Sequence, residues 1–462
     1  MISTTGSDPA PAAVTYPSRP YAWTVVAILI ATAILSYTDR QVLSLLVDPI
    51  RGELGITDQQ VSYLLGAAFA VVYGIAGIPL GFLADRTSRR NLIFAGVMVW
   101  SGGTLACGWS HSFGQLFAAR IVVGLGEAVL SPAAISLISD YFPPSRRGTA
   151  VGCFLAGIAM GIGASILIGG GVLHLVETGA LAATSLGSLA PWRLVLLLIG
   201  LPGVLWGFVI LLIREPPRQT GHAEVGVASS VADTHMTATQ PATPASAVSA
   251  MARSSGWARV IPIYVVVAIA SLVDNAVGAW APSLLIRDFS KDPAQVGMEL
   301  GLLLTGGFGG GVLLGGWLAD RAGLRGGWSY KLGVCLISGL LILPVSLLIN
   351  AGQFTVVLLS VPLYFALSGI VTACGFSAIL DVVPNRSRGL AMAISFFLNV
   401  ALGAGLGPTA VATASERIFG ASAGLGPALT LTVAASYGLA VVTLLVTLSL
   451  FRNPRGKRGW QC

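Results

Sequence analysis

Five ionisable residues stand in parts of this sequence where ionisable residues are rarely found. Asp39 and Arg40 are adjacent, Arg120 and Glu127 are seven apart, and Asp274 stands beside Asn275, all within apolar runs. A charge inside hydrocarbon costs roughly 3 kcal/mol or more, so such residues face a protein interior or a wet cavity and keep partners. Read as 1.5 Å of helical rise per residue, Asp39–Arg40 come about 27 Å along the first run and Glu127 about 21 Å along the fourth. Long side chains span much of the remaining depth difference, and Arg120 lies two turns from Glu127 on the same face. The expected arrangement is a four-member network of Asp39, Glu127, Arg40 and Arg120. A carboxylate beside an arginine is held ionised; lost contact or drying favours its protonated form. An arrangement that makes and breaks this contact would load and unload a proton. The competing reading is a static ion-pair network that ties two helices together.

Such residues need elements to hold them, and the composition says which. The chain has 462 residues, 55% hydrophobic and 10% charged, with a mean hydropathy of +0.82. A soluble domain carries about 25% charged residues, so a soluble enzyme and a disordered protein are both excluded. The expected fold is all-α integral membrane. Twelve apolar runs are long enough to span a bilayer: 21–47, 61–84, 91–109, 113–139, 147–175, 191–213, 258–286, 295–319, 329–349, 353–380, 388–415 and 425–451. They divide the chain into a tail (1–20), a six-helix bundle (21–213), a linker rich in Ala, Thr, Ser and Pro (214–257), a second bundle (258–452) and a second tail (453–462). With the N-terminus inside, 19 of the 26 Lys and Arg fall in inside segments, 4 outside and 3 within or at the edge of spans. That bias predicts cytoplasmic termini and a cytoplasmic linker, as expected of a multi-pass membrane protein, in the inner membrane if bacterial. The net charge of +7 thus serves topology and implies no nucleic-acid partner.

The two halves echo each other. Gly-Phe-Leu-Ala-Asp-Arg (81–86) recurs as Gly-Trp-Leu-Ala-Asp-Arg (316–321), an offset of 235. Asp140-Tyr-Phe-Pro-Pro-Ser-Arg-Arg-Gly148 recurs as Asp381-Val-Val-Pro-Asn-Arg-Ser-Arg-Gly389, an offset of 241. Two related motifs in the same order imply internal duplication, an architecture in which cargo binds between the halves near the midplane.

The segment 81–90, with its echo, resembles the loop signature of the major facilitator superfamily. Within it, Tyr37-Thr-Asp-Arg40, Arg120-Ile-Val-Val-Gly-Leu-Gly-Glu-Ala128 and Ala279-Trp-Ala-Pro-Ser-Leu-Leu285 resemble the spinster lipid transporters. The resemblance covers roughly 21–452. It implies proton coupling by Asp39, Arg40 and Glu127, and substrate contact by Arg40, Arg120, Glu127, Asp274, Asn275 and Trp280. Asp274, on the repeat counterpart of the first span, is expected to bind an amine head group or to share in coupling; a helix–helix hydrogen bond is the bland alternative. Tyr37, Phe69, Tyr73, Tyr364, Phe396 and Phe397 are candidate cavity aromatics, with plain packing as the alternative.

The signature implies a gate as well. Asp85, at the turn after span 2, would meet the N-terminus of span 11 near Arg388. Asp320 would meet span 5 near Arg147, with Arg86, Arg90 and Arg321 completing the set. The glycines of span 5 (Gly157, Gly161, Gly163) and span 11 (Gly403, Gly405, Gly407) suit close packing or a sliding interface between halves. The reading is a monomeric secondary transporter, not an enzyme. It needs no cofactor or metal, and its partners are a lipid-like or other small-molecule substrate, protons and membrane lipids. An organic-anion or sugar-acid symporter, with Arg40 binding a carboxylate, is the alternative.

Overall fold

In hydrocarbon a backbone can satisfy its polar groups within helices, and all described elements of this chain are helical. The computed structural model describes residues 16–179, 188–216, 257–383, 388–420 and 424–451. The first half holds α1 (Arg19–Leu45), α2 (residues 58–86), α3 (Arg89–Gly108), α4 (Phe113–Tyr141), α5 (Pro144–Glu177) and α6 (Pro191–Ile210). The second holds α7 (Trp257–Phe289), α8 (Pro293–Gly326), α9 (Trp328–Leu348), α10 (Phe354–Val382), α11 (residues 388–419) and α12 (Gly426–Phe451). Among the described residues, eleven helices are long and apolar enough to cross a membrane. The twelfth rod, α2, is continuous helix with a π turn at Tyr63–Ala67.

The helices group as expected. α3 packs on α4 and α6, and α1 on α5; in the second half α10 packs on α7, α8 and α9, and α12 on α9. Two contacts join the halves most extensively, α5 with α8 and α2 with α11. Under the duplication, α2 corresponds to α8 and α5 to α11, so these are the same contact made twice about a pseudo-twofold axis. The α5–α8 approach depends on missing side chains. A Cβ at Gly163 would fall on the backbone of Thr305, and one at Gly170 on that of Gly297.

Two ends can be distinguished. At the linker end the chain leaves α6 and enters α7. At the far end a short helix, Val47–Leu54, closes with Gly55 in the left-handed region (φ 62°). Two departures from the sequence reading concern helix ends. The first six residues of the signature and of its echo are helical: α2 runs to Arg86 before the chain turns at Thr87–Ser88, and α8 continues past Asp320 to Gly326. The start of the linker, Arg214–Pro216, docks on the first bundle, while 217–256 lies outside the described residues.

Glu215 explains that docking. Its carboxylate accepts from the Ser88 hydroxyl (2.9 Å) and from the amides of Arg89 (3.2 Å) and Arg90 (2.9 Å) at the N-terminus of α3. An anion is favoured there because the first amides of a helix lack internal partners. Arg89, 1% exposed, adds its Nε at 2.8 Å and pairs through Nη1 with Asp140. Lys331 and Asp381 form the matching pair in the second half, at 2.6 Å. The recurring motif that begins at Asp140 and Asp381 therefore staples each bundle internally.

Candidate functional site

The midplane cluster forms where two helices depart from regular geometry. α1 tightens to a 3₁₀ turn at Val42–Leu45, just after Asp39 and Arg40. α2 widens to its π turn around Leu64. Such irregularities interrupt the usual backbone ladder and free carbonyl oxygens to the side. Arg120, on α4 and 1% exposed, takes up both: Nη1 donates to the Asp39 carbonyl (3.2 Å) and Nε to the Leu64 carbonyl (3.3 Å).

Asp39, Arg120 and Glu127 are brought together and buried, at 2%, 1% and 5% exposure. The four-member network, however, is not an ion-pair network. No salt bridge joins Asp39 or Glu127 to Arg40 or Arg120 among the described residues. The two carboxylates instead act on one another and on the guanidinium groups through space. Asp39 feels Glu127 and Arg120, and Glu127 feels Arg40 and Arg120. Asp39 Oδ1, Glu127 Oε1 and Arg120 Nη2 are buried with no hydrogen-bond partner among the described residues. The donors that Arg120 was expected to offer to the carboxylates go to the backbone carbonyls of Asp39 and Leu64.

Arg40 is partly exposed and crosses between halves. Its guanidinium sits 4.0 Å from the centroid of Phe69, and Nη2 donates to Asn275 Oδ1 on α7 at 3.2 Å. Beside Asn275, Asp274 is partly exposed and accepts from the Tyr364 hydroxyl at 2.8 Å. Trp280 does not join this group. It is fully buried, and its indole N–H donates to the Pro408 carbonyl at 2.9 Å. Of the candidate aromatics, Tyr37 is partly exposed near Arg40 and Glu127, and Phe69 is buried beneath Arg40. Tyr364 is buried, and Phe396 and Phe397 are exposed. The Tyr73 side chain lies outside the described residues.

The gate residues at the linker end are not assembled as expected. The Asp85 side chain lies outside the described residues. Asp320 is exposed, stands inside α8, and makes no ion pair among the described residues. Arg147 Nε has no hydrogen-bond partner among the described residues, and Arg388 Nε donates to the Leu380 carbonyl at 3.1 Å. Arg86 is exposed, Arg321 sits 4.1 Å from the Trp317 centroid, and Arg90 serves the Glu215 carboxylate.

The far end carries a clamp that the sequence reading treated only as loop charges. Arg287, at the end of α7, donates to Asp48 (2.7 Å) and to both oxygens of Asp58 (2.8 and 2.9 Å). Arg51 holds the same Asp58 at 3.2 Å. Nearby, Glu416 accepts from the Gln59 amide (3.0 Å), and the Thr413 hydroxyl donates to the Gln59 side chain (3.1 Å). Each of these contacts except Arg51–Asp58 joins the two halves. Within the first half, Arg193 and Trp192 hold Glu53, with Arg193 Nη2 at 2.8 Å and Trp192 Nε1 at 2.5 Å. Opposite charges at the ends of α1, α2 and α7 were the available signal, but sequence alone does not say which ends meet.

Comparison with known proteins agrees with this architecture. The chain is 30% identical to an MFS-type efflux pump of Mycolicibacterium smegmatis over 90% of both proteins. It is 30% identical to protein spinster of Drosophila melanogaster over 44% of this chain and 31% of that one. It is 27% identical to a D-galactonate transporter of Escherichia coli over 71% and 73%. Its fold matches a bacterial homologue of the human lysosomal transporter spinster in an inward-facing conformation. There the TM-score is 0.74 at 24% identity, covering 94% of this chain and 97% of that one. With residues 29–408 matching the family model as well, the chain belongs to the Major Facilitator Superfamily and is a multi-pass membrane transporter.

Proposed function

We propose that this transporter is a proton-coupled carrier of an amphipathic, lipid-like molecule, working by alternating access with termini and linker in the cytoplasm. One observation carries the coupling. Asp39 and Glu127 are buried together, each with an oxygen that no group among the described residues partners. Two carboxylates without ion pairs in a low-dielectric site are best served by taking up a proton. Arg120 fixes the backbone around them, and Arg40 reaches across to the second half, so its contacts depend on how the halves are disposed. When the halves move, Arg40 carries its charge toward or away from Glu127, and the proton is kept or released accordingly.

The spinster resemblance and the partly exposed Tyr37 beside Arg40 support an amphipathic cargo. A second reading, a sugar-acid symporter, draws on the D-galactonate transporter among the relatives and on Arg40, which among the described residues is bonded only to a neutral amide and has donors left for a carboxylate. The test is transport in proteoliposomes under an imposed pH gradient, with lysolipids and galactonate as separate cargoes. Asp39→Asn and Glu127→Gln are expected to cut cargo-driven proton flux at least tenfold while exchange at equal pH persists. If both variants keep gradient-driven accumulation, the cluster is structural and coupling lies elsewhere.

A further inference from the structure

α5 and α8 run antiparallel along their seam. Gly163 meets Thr305, Leu167 meets Gly301, and Gly170 meets Gly297, backbone against backbone. Seven residues on from Gly170 stands Glu177, the last residue of α5, and the same count back from Gly297 reaches the turn Ser290–Asp292 that opens α8. The register therefore carries one carboxylate from each half to the far end of the seam. There the Glu177 carboxyl comes within hydrogen-bonding reach of the Asp292 carboxyl. Both side chains are exposed at that end.

Two ionised carboxylates have only acceptors to offer one another, so their contact needs a proton. The helix ends decide which partner holds it. Asp292 is the N-cap of α8, and its Oδ2 accepts from the Gln295 amide at 2.9 Å. The positive end of a helix favours that anion, while Glu177 stands at the negative end of α5, where an anion is disfavoured. The proton therefore belongs to Glu177, which donates to Asp292. Among the described residues, the neighbouring charges are engaged elsewhere. His174, one turn back, attracts Glu177 from its own helix and so does not cross the seam. Lys291 lies over Phe354 at 4.7 Å, Arg287 holds Asp48 and Asp58, Asp288 accepts from the Gly426 amide, and Arg193 holds Glu53 beside His111. Glu299 accepts from the Gln295 side chain at 2.7 Å. Residues 178–190, which follow Glu177 in the chain, include no ionisable side chain.

We propose that Glu177 and Asp292 form an acid latch: they share one proton taken from the medium at the far end and hold the α5–α8 seam closed there. When that medium becomes alkaline both groups ionise, like charges face each other across the halves, and the seam is pushed apart where its helices end. The stabilisation is present at low pH and lost as pH rises, so acid at the far end favours the state that is open at the linker end. The latch lies beyond the last glycine contact, where relative displacement of the halves is large, and it touches no member of the midplane cluster. The inference rests on the alternating-access reading above, and on neither its proton coupling nor its cargo.

The experiment places spin labels at Leu175 and Leu302, exposed on α5 and α8, in the full chain in lipid nanodiscs. Water screens an exposed pair, so the closed-to-open ratio of wild type is expected to fall about fivefold between about pH 5 and about pH 8. Glu177→Gln, whose amide donates to Asp292 without a titrating proton, should stay closed at both values. Glu177→Ala should be shifted toward opening at both, and His174→Gln should respond as wild type does. A wild-type distribution indifferent to pH overturns the latch, as does a full pH response in Glu177→Gln or its loss in His174→Gln. The difference between wild type and Glu177→Gln should persist in a Glu127→Gln background; its disappearance there assigns the response to the midplane and overturns the latch. If Arg287→Ala lengthens the distance while pH does not, the latch alone fails. If neither moves it, alternating access fails as well.

Discussion

Arg40 combines three functions that a lysine would divide. Its planar group lies over Phe69, donates sideways to Asn275, and, on the proposed function, offers its remaining donors to cargo. An ammonium has the charge but neither the stacking face nor the fork geometry. The cation–π contact is worth about 0.5–2 kcal/mol and a net hydrogen bond about 1 kcal/mol. Arg40→Lys is therefore expected to raise the apparent KM for cargo by about tenfold, since about 1.4 kcal/mol corresponds to that factor. Proton coupling should persist, because the positive charge near Glu127 remains. Initial-rate transport assays at varied cargo concentration, with proton flux recorded in parallel, check both halves of the expectation.

Glu215 shows how an element is held in place by a residue beyond its neighbour's end. Burial alone would raise its carboxyl, but donation from the Arg90 amide, Arg89 and Ser88 outweighs this and leaves it below the usual carboxylate value of 4.5. A depressed folded value means that the stability it contributes is present above about pH 4.5 and lost as pH falls through the folded value. Glu215→Gln should lower thermal stability by about 1–2 kcal/mol at neutral pH. The gap to wild type should close as pH falls below about 4.5, which melting curves in detergent from pH 3.5 to 7.5 would show. At the α5–α8 seam, Gly163→Val places a branched side chain against the backbone of Thr305. The expected outcome is separation of the halves along this seam and loss of transport, with each bundle still folded, read by cross-linking between α5 and α8. Much of this layer was legible in advance. The span boundaries agree within a few residues, because hydrocarbon thickness fixes helix length and apolar runs report it. The α8 end was read seven residues short, at 319 in place of Gly326, because Asp320, Arg321 and Arg325 look like a loop although helix continues into the polar zone. The site was legible as a set of residues but not as geometry. Nothing in the spacing of Asp39, Arg120 and Glu127 shows that Arg120 would choose backbone carbonyls freed by a 3₁₀ turn and a π turn.

At the scale of the molecule, the clamp of Arg287 on Asp48 and Asp58 closes the far end, while Asp320 at the other end is exposed without an ion pair among the described residues. Arg287→Ala removes the cation that, among the described residues, the second half brings to both aspartates. The population is expected to shift toward far-end opening by about tenfold, equivalent to about 1.4 kcal/mol. Spin labels at Gly52 and Arg417, both exposed on opposite halves at that end, should report a longer distance in the variant. An unchanged distribution would mean that helix packing alone closes this end. The bond between Arg40 and Asn275 has a different mechanical standing from the clamp. It joins equivalent positions of the two repeats and so lies at the axis that relates them. In a rocking cycle, displacement grows with distance from the pivot, so the protein's own buried charges at the axis hardly travel along the membrane normal. A charge crossing the whole field exchanges about 2.3 kcal/mol per 100 mV, but charges at a fulcrum cross almost none of it. On the proposed mechanism, voltage then does its work on the passengers alone, and the current per turnover becomes a direct count of the protons moved and the net charge of the cargo.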